Sequence, residues 1–159
     1  MSNIFENGDR LPAAAKVAAI SSYTLFSDKY PIVQKIKSER WDFVITIAGV
    51  FVAVSQLNHE NISDADKDAL HVRISVAAVE IYPDFIEACE DCRIFVDRTY
   101  DGLAVAKEGQ NNKQFLFSDA IGSWIVWNLF EHAPSSEDET SLIRPIGMFI
   151  VHSFFNWWK

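Results

Sequence analysis

Apolar residues recur along most of the chain at the alternating three- and four-residue steps that place them on one face of a helix. The clearest series consists of Ile74, Ala78, Ile81, Phe85, Ala88, Cys92 and Phe95. A stripe of this period is typical of an amphipathic helix that packs against a core. Pro83 falls opposite the stripe, so we expect one long helix that is kinked at Pro83 and runs from the Ser63 cap to Asp101-Gly102.

Other helices are predicted from their start signals. The alanine-rich run after Pro12 predicts a first helix with proline in its first turn, and a second helix is expected near Pro31. Ser118 and Ser135-Ser136 precede two further apolar series, and we interpret each series as a capped helix.

The run Trp41–Leu57 is ambiguous between helix and strand. Its many β-branched residues favour strand. However, the run is longer than a usual strand, and Ala48-Gly49 would make a poor two-residue hairpin loop. We therefore predict a buried central helix, with a hairpin as the alternative.

These elements together predict an all-α protein. Leu103–Ala106 and Phe115–Phe117 flank a polar stretch, so one long loop or a small hairpin is expected near 103–117. We expect a compact bundle of five or six helices, forming a single domain over residues 11–159 after a flexible N-terminus at 1–10.

Composition narrows the class of protein. The 159 residues include 14 Lys and Arg against 22 Asp and Glu, and the resulting net charge of −8 argues against nucleic-acid binding. Two cysteines are too few for a disulfide scaffold. The first ten residues lack the pattern of a signal peptide, and the apolar run Phe43–Val54 is shorter than the ~18 residues of a membrane-spanning helix. We therefore expect a cytoplasmic protein without a membrane segment.

The main candidate surface is an acidic row made of Glu80, Asp84, Glu87 and Asp91. Steps of four, three and four place these carboxylates on one face of the predicted helix. Such a row could be a solvated face, could bind a basic partner through charge complementarity, or could hold a cation. A di-metal carboxylate site would need Glu-x-x-His pairs, and the chain has none. We therefore expect no metal and no cofactor.

The C-terminal segment is a second candidate, because aromatic side chains cover most of the circumference of the last helix. The residues concerned are Phe154, Phe155, Trp157 and Trp158. They could be buried in the bundle, or they could form a contact with a partner protein or with a second copy in a homodimer.

Cys89 and Cys92 would supply only half of a zinc site, and the chain has no second cysteine pair. Acidic neighbours should disfavour a thiolate at either position, so we predict buried, reduced cysteines. The four histidines are scattered, and no phosphate-binding, dinucleotide, hydrolase or metalloprotease motif indicates an enzyme. The four histidines are His59, His71, His132 and His152.

The segment Ile62–Leu70, after an apolar helix, resembles a helical turn found in TerB-like tellurite-resistance domains. In that family an Asp-Gly pair and a following acid help to build a metal site. Glu60-Asn61 stands in place of the Asp-Gly pair in this chain, so the resemblance carries no function over.

The sequence therefore favours a protein-interaction module, such as an inhibitor, an immunity-type protein or a regulatory protein, that presents an acidic face to a basic partner. The alternative is a small metal-dependent helical enzyme or metal-binding domain that uses the acidic row and a histidine from another helix.

Overall fold

The computed structural model describes residues 3–106 and 115–159, and these residues form six α-helices and no strand. The helices are α1 (Ile4–Lys29), α2 (Ser38–Ser55), α3 (Asp64–Ile81), α4 (Phe85–Ala106), α5 (Leu116–Phe130) and α6 (Glu137–Phe154). Short 3₁₀ turns lie at Pro31–Lys35 and Leu57–His59. The predicted all-α bundle is confirmed.

Helices α2 and α5 occupy the centre, because apolar side chains surround nearly their whole circumference. In α2 every residue from Val44 to Ala53 is buried, and the helix contacts α1, α4, α5 and α6. A helix satisfies its own backbone hydrogen bonds, so this β-branched run can be buried on all sides without a partner strand. The run that was ambiguous in sequence is therefore the central helix. One hydrophobic cluster contains residues of this helix and of the five other helices.

Within the described residues, the segment Ser38–His59 is long and apolar enough to cross a membrane by length and composition. It is longer than the apolar run considered in the sequence because its polar flanks are included. However, 67% of its most apolar stretch is buried inside the protein. A helix at the centre of a core meets the same two criteria.

Helix α1 begins earlier than predicted. Asn3 caps it by accepting hydrogen bonds from the backbone N–H groups of Phe5 and Glu6, and Pro12 lies inside the helix instead of in its first turn. Residues 4–10, which were expected to be flexible, are therefore helical. Contacts with distant elements hold them in place: Gly8 is buried, and the indole N–H of Trp157 donates to the carbonyl of Asn7.

The expected kink at Pro83 is wrong, because the chain breaks there into two separate helices. Proline disfavours helical backbone in the residue before it, and Tyr82 is indeed extended, with φ −133° and ψ 105°. α3 ends at Ile81, and α4 restarts at Phe85. Most of the apolar stripe therefore faces the core, but from two separate helices.

Three further boundaries differ from the prediction. Pro31 begins a 3₁₀ turn instead of a helix, and α4 passes through Asp101-Gly102 to Ala106. Leu116 and Phe117 belong to α5, so the apolar pieces expected to border a loop or hairpin are helical at both ends. Residues 107–114, the middle of that expected loop, lie outside the described residues.

Candidate functional site

The four carboxylates of the acidic row do not lie along one helix. Glu80 is in the last turn of α3, Asp84 is in the break, and Glu87 and Asp91 are on α4. All four are exposed, and Asp91 turns towards α5, where it accepts a hydrogen bond of 3.0 Å from the indole N–H of Trp124. The alignment expected from their spacing is therefore wrong, because it assumed a continuous helix through Pro83.

A groove between α3 and α4 is the main concave surface that these helices create. Its deeper part is a cavity of 580 Å³ whose walls come from the C-terminal end of α2, from α3 and from α4. A second cavity of 540 Å³ continues along the outer side of α3, and the two cavities share His71, Ser75 and Ile86. Each volume falls within the range of known ligand pockets. We call the two cavities together the α3–α4 groove.

Apolar side chains form most of the α3–α4 groove. Phe51, Ile74 and Phe85 belong to the core and form its floor. Val72 and Val76 stand at its mouth, where they are 63% and 59% exposed. Exposed apolar side chains that cluster around a cavity are typical of a binding surface, in contrast to apolar residues scattered singly over a protein.

Carboxylates from both helices border the groove: Glu80 from α3, and Glu90 and Asp97 from α4. Arg93 lies between the last two, with its Nε 3.0 Å from Glu90 Oε2 and its Nη1 3.4 Å from Asp97 Oδ2. The hydrogen bond from Arg93 lowers the pKa of Glu90, so this carboxylate stays ionised near neutral pH. The guanidinium that lines the groove is thus paired, and the groove border formed by the described residues is negative.

Sequence reasoning included Glu80 in its acidic row but missed Glu90 and Asp97. These two residues are seven positions apart with Arg93 between them, a spacing that places all three on one side of a helix. That signal was present in the sequence. The groove that makes this side notable depends on the break at Pro83, which the sequence analysis interpreted as a kink.

Both cysteines were predicted to be buried, and the structure bears this out fully only for Cys92. Cys92 is fully buried, and Cys89 is partly buried beside the groove. Burial raises the pKa of the Cys89 thiol to about 11, and the nearby Glu90 carboxylate adds to this effect. Both side chains are free cysteines in the thiol form at neutral pH, and a thiol is a poor nucleophile and metal ligand.

The C-terminal aromatic residues divide between the core and the surface. Phe154 and Trp158 are buried, so they are not available to a partner, and the Trp158 indole N–H donates to the carbonyl of Ala53 at 2.7 Å. Trp157 is half-buried against the start of α1. Phe155 is 38% exposed and packs edge-on against Phe117. The structure therefore corrects the assignment of Phe154 and Trp158 as partner-binding residues.

The histidines do not converge with the acidic row. His71 lines the groove, and His132 lies beside Glu139 at the start of α6. Within residues 3–106 and 115–159, no three His, Cys, Asp or Glu side chains lie close enough together to hold a metal ion.

Comparison with known proteins does not assign the chain to a family. No protein-family model matches the chain, and searches of curated proteins and of solved structures find no significant match.

Proposed function

We propose that this chain is a protein-interaction module that binds a partner with a basic surface through the acidic side formed by α3, the break and α4. The observation that supports this proposal most directly is the apolar α3–α4 groove with its carboxylate border. An apolar centre surrounded by charged groups is the usual composition of a protein interface. Inhibitors, immunity-type proteins and regulatory subunits all use surfaces of this kind.

The overall charge favours the same class of partner. The chain carries a net charge of −8; Glu80 borders the groove, and Asp84, Glu87 and Asp91 are exposed at the break and on α4. Negative potential over a surface accelerates the approach of a basic partner, and salt screens this acceleration. The sign of the net charge therefore favours a basic partner.

The test begins with affinity capture from the native cell extract at low and high salt, followed by association kinetics with the recovered protein. Changing the acidic row to amides (E80Q, D84N, E87Q and D91N) should slow association and flatten its dependence on salt. The amide introduced by D91N still offers an oxygen acceptor to the Trp124 indole, so the fold should be retained.

A matched control removes the same amount of charge elsewhere, at exposed carboxylates of α1, α2 and α6 (D28N, E39Q, E137Q and D138N). This variant should keep most of the association rate if the acidic row has a local role. If both variants slow association equally, the slower association results from the net charge of the protein and not from the acidic row. An unchanged rate and salt slope in the row variant would contradict the proposed function.

A further inference from the structure

The shape of the α3–α4 groove sets the size of its occupant. Its walls include α3 from His71 to Glu80 and α4 from Ile86 to Asp97. At a rise of 1.5 Å per residue, these stretches are about 14 and 17 Å long, which corresponds to roughly three turns of helix. The groove is therefore elongated, and its two cavities lie side by side along α3, since His71 and Ser75 line both of them.

The apolar lining sets the first chemical requirement. Val72, Val76 and Ile86 are each more than half exposed. All three line the second cavity, and Ile86 also lines the first cavity, whose floor is formed by core residues. Covering them removes apolar surface from water, which stabilises a complex. An occupant must therefore present several apolar side chains in a row, as an amphipathic helix does at positions i, i+3, i+4 and i+7.

The border charges set the second requirement. Three carboxylates border the groove, those of Glu80, Glu90 and Asp97. The guanidinium of Arg93, which also lines it, is already paired with the last two. Basic side chains beside the apolar stripe of an occupant would meet these carboxylates. A second copy of this chain fits poorly because each copy carries a net charge of −8 and the two would repel.

We propose that the α3–α4 groove binds one amphipathic helix of about three turns from a partner protein, with its apolar stripe in the two cavities and Lys or Arg on its flanks. This inference rests on the proposed function, and it names the form of the partner that the acidic side recognises. Helix-in-groove binding needs a preformed apolar trough and a few anchor side chains, and this groove supplies the trough.

Designed peptides of about 18 residues, five turns of helix, test the inference directly. The probe is a Leu/Lys peptide with its leucines at helical spacing; the comparisons are a Leu/Glu peptide of the same pattern and a Leu/Lys peptide of scrambled pattern. The patterned Leu/Lys peptide should bind at least tenfold more tightly than either comparison. Equal binding of the scrambled peptide, or no binding at about 1 mM, would overturn the proposal.

Two variants of equal charge distinguish groove binding from general attraction between acidic protein and basic peptide. V72E/V76E places two carboxylates in the groove, and V17E/I20E places two on the exposed side of α1, where the wild-type side chains are 66% and 55% exposed. General attraction should strengthen binding to both variants. Groove binding predicts at least a tenfold loss for V72E/V76E and no loss for V17E/I20E, and equal affinities of the two variants would refute it.

The same two variants separate this inference from the proposed function. If the recovered partner depends on the acidic row but binds V72E/V76E as well as the wild type, the groove proposal fails and the interaction module remains. If sedimentation shows that the wild type is a dimer and V72E/V76E is a monomer, the occupant is a second copy, and the helix of a partner protein is excluded.

Discussion

Glu139 is a buried carboxylate at the start of α6, and its contacts fasten the first turn of that helix. It accepts a hydrogen bond of 2.8 Å from the backbone N–H of Ser135, while the hydroxyl of Ser136 accepts from the N–H of Glu139 at 3.2 Å. His132 approaches the same carboxylate, with Nε2 3.5 Å from Oε2. Since the Ser135 hydroxyl points to Glu139 and not to His132, the cluster caps a helix and does not activate a nucleophile.

This cap should make stability depend on pH. The backbone hydrogen bond from Ser135 lowers the pKa of Glu139 against the opposing effect of burial, and His132 adds to the lowering. A lowered folded-state pKa gives stability that is fully present above the ordinary value of 4.5 and is lost as the pH falls through the folded value. E139Q should therefore cost on the order of 1 kcal/mol at neutral pH and progressively less below pH 4.5.

Urea unfolding of both proteins across this pH range measures the difference. E137Q is the matched control because Glu137 lies in the same first turn but is exposed. It removes the same charge near the positive end of α6, a change worth only a few tenths of a kcal/mol. A stability gap between the wild type and E139Q that stays constant with pH would show that the carboxylate contributes only by packing.

At the scale of elements, α5 and α6 approach each other unusually closely at two glycines. A Cβ on Gly122 would lie 1.9 Å from the backbone oxygen of Ile143, and a Cβ on Gly147 would lie 1.9 Å from that of Ser118. Backbone atoms cannot move aside as a flexible side chain can. Arg144 spans the same contact with hydrogen bonds of 3.1 and 2.8 Å to the buried Asp119.

Alanine at Gly122 or Gly147 should therefore force the two helices apart and destabilise the protein by roughly 3 kcal/mol, the upper end of the usual cost of overpacking. Gly102 is the matched control: it lies within α4 with nothing near its Cβ position, and G102A should stabilise by roughly 0.5–1 kcal/mol because alanine favours helix. Thermal unfolding of the three variants measures these changes. A stability near that of the wild type for G122A and G147A would mean that α5 and α6 can separate at little cost.

The helix elements show where local pattern was sufficient and where it was not. The β-branched run of α2 was assigned correctly because its length and the lack of a turn signal favoured a helix over the alternative hairpin. The prediction of one helix kinked at Pro83 was wrong because a kinked helix and a broken helix have the same apolar stripe. The choice between them depends on whether the next helix packs better in line or at an angle, and that is a property of the assembled core.

At the scale of the whole molecule, the C-terminal segment closes the bundle. The ring of Phe154 lies over Gly49 of α2, where an added Cβ would come within 2.8 Å of it, and Trp158 donates to Ala53 of the same helix. Deleting residues 154–159 should therefore lower the unfolding midpoint at every protein concentration, with a loss of at least about 3 kcal/mol.

Replacing only Phe155, which is partly exposed, should cost far less and serves as the control. Unfolding monitored over a wide range of protein concentrations separates this expectation from a dimer contact. A midpoint that depends on concentration in the full chain, and no longer does so after the deletion, would place these aromatic residues at a subunit interface. A truncated chain as stable as the full one would contradict their role in the core.

The sequence by itself determined the helical class, the buried position of α2 and the negative charge of the protein, because these follow from composition and from the local spacing of apolar residues. Helix caps such as Ser63 and Ser136 were also readable, since a cap involves only neighbouring positions. Only the tertiary structure decided which carboxylates border a groove and which aromatic residues are buried in the core. Glu90 and Asp97 lie seven positions apart on a helix whose direction is set after Pro83, and Trp158 is buried by residues about a hundred positions earlier. Contacts of that separation depend on how the helices pack, which no local pattern contains.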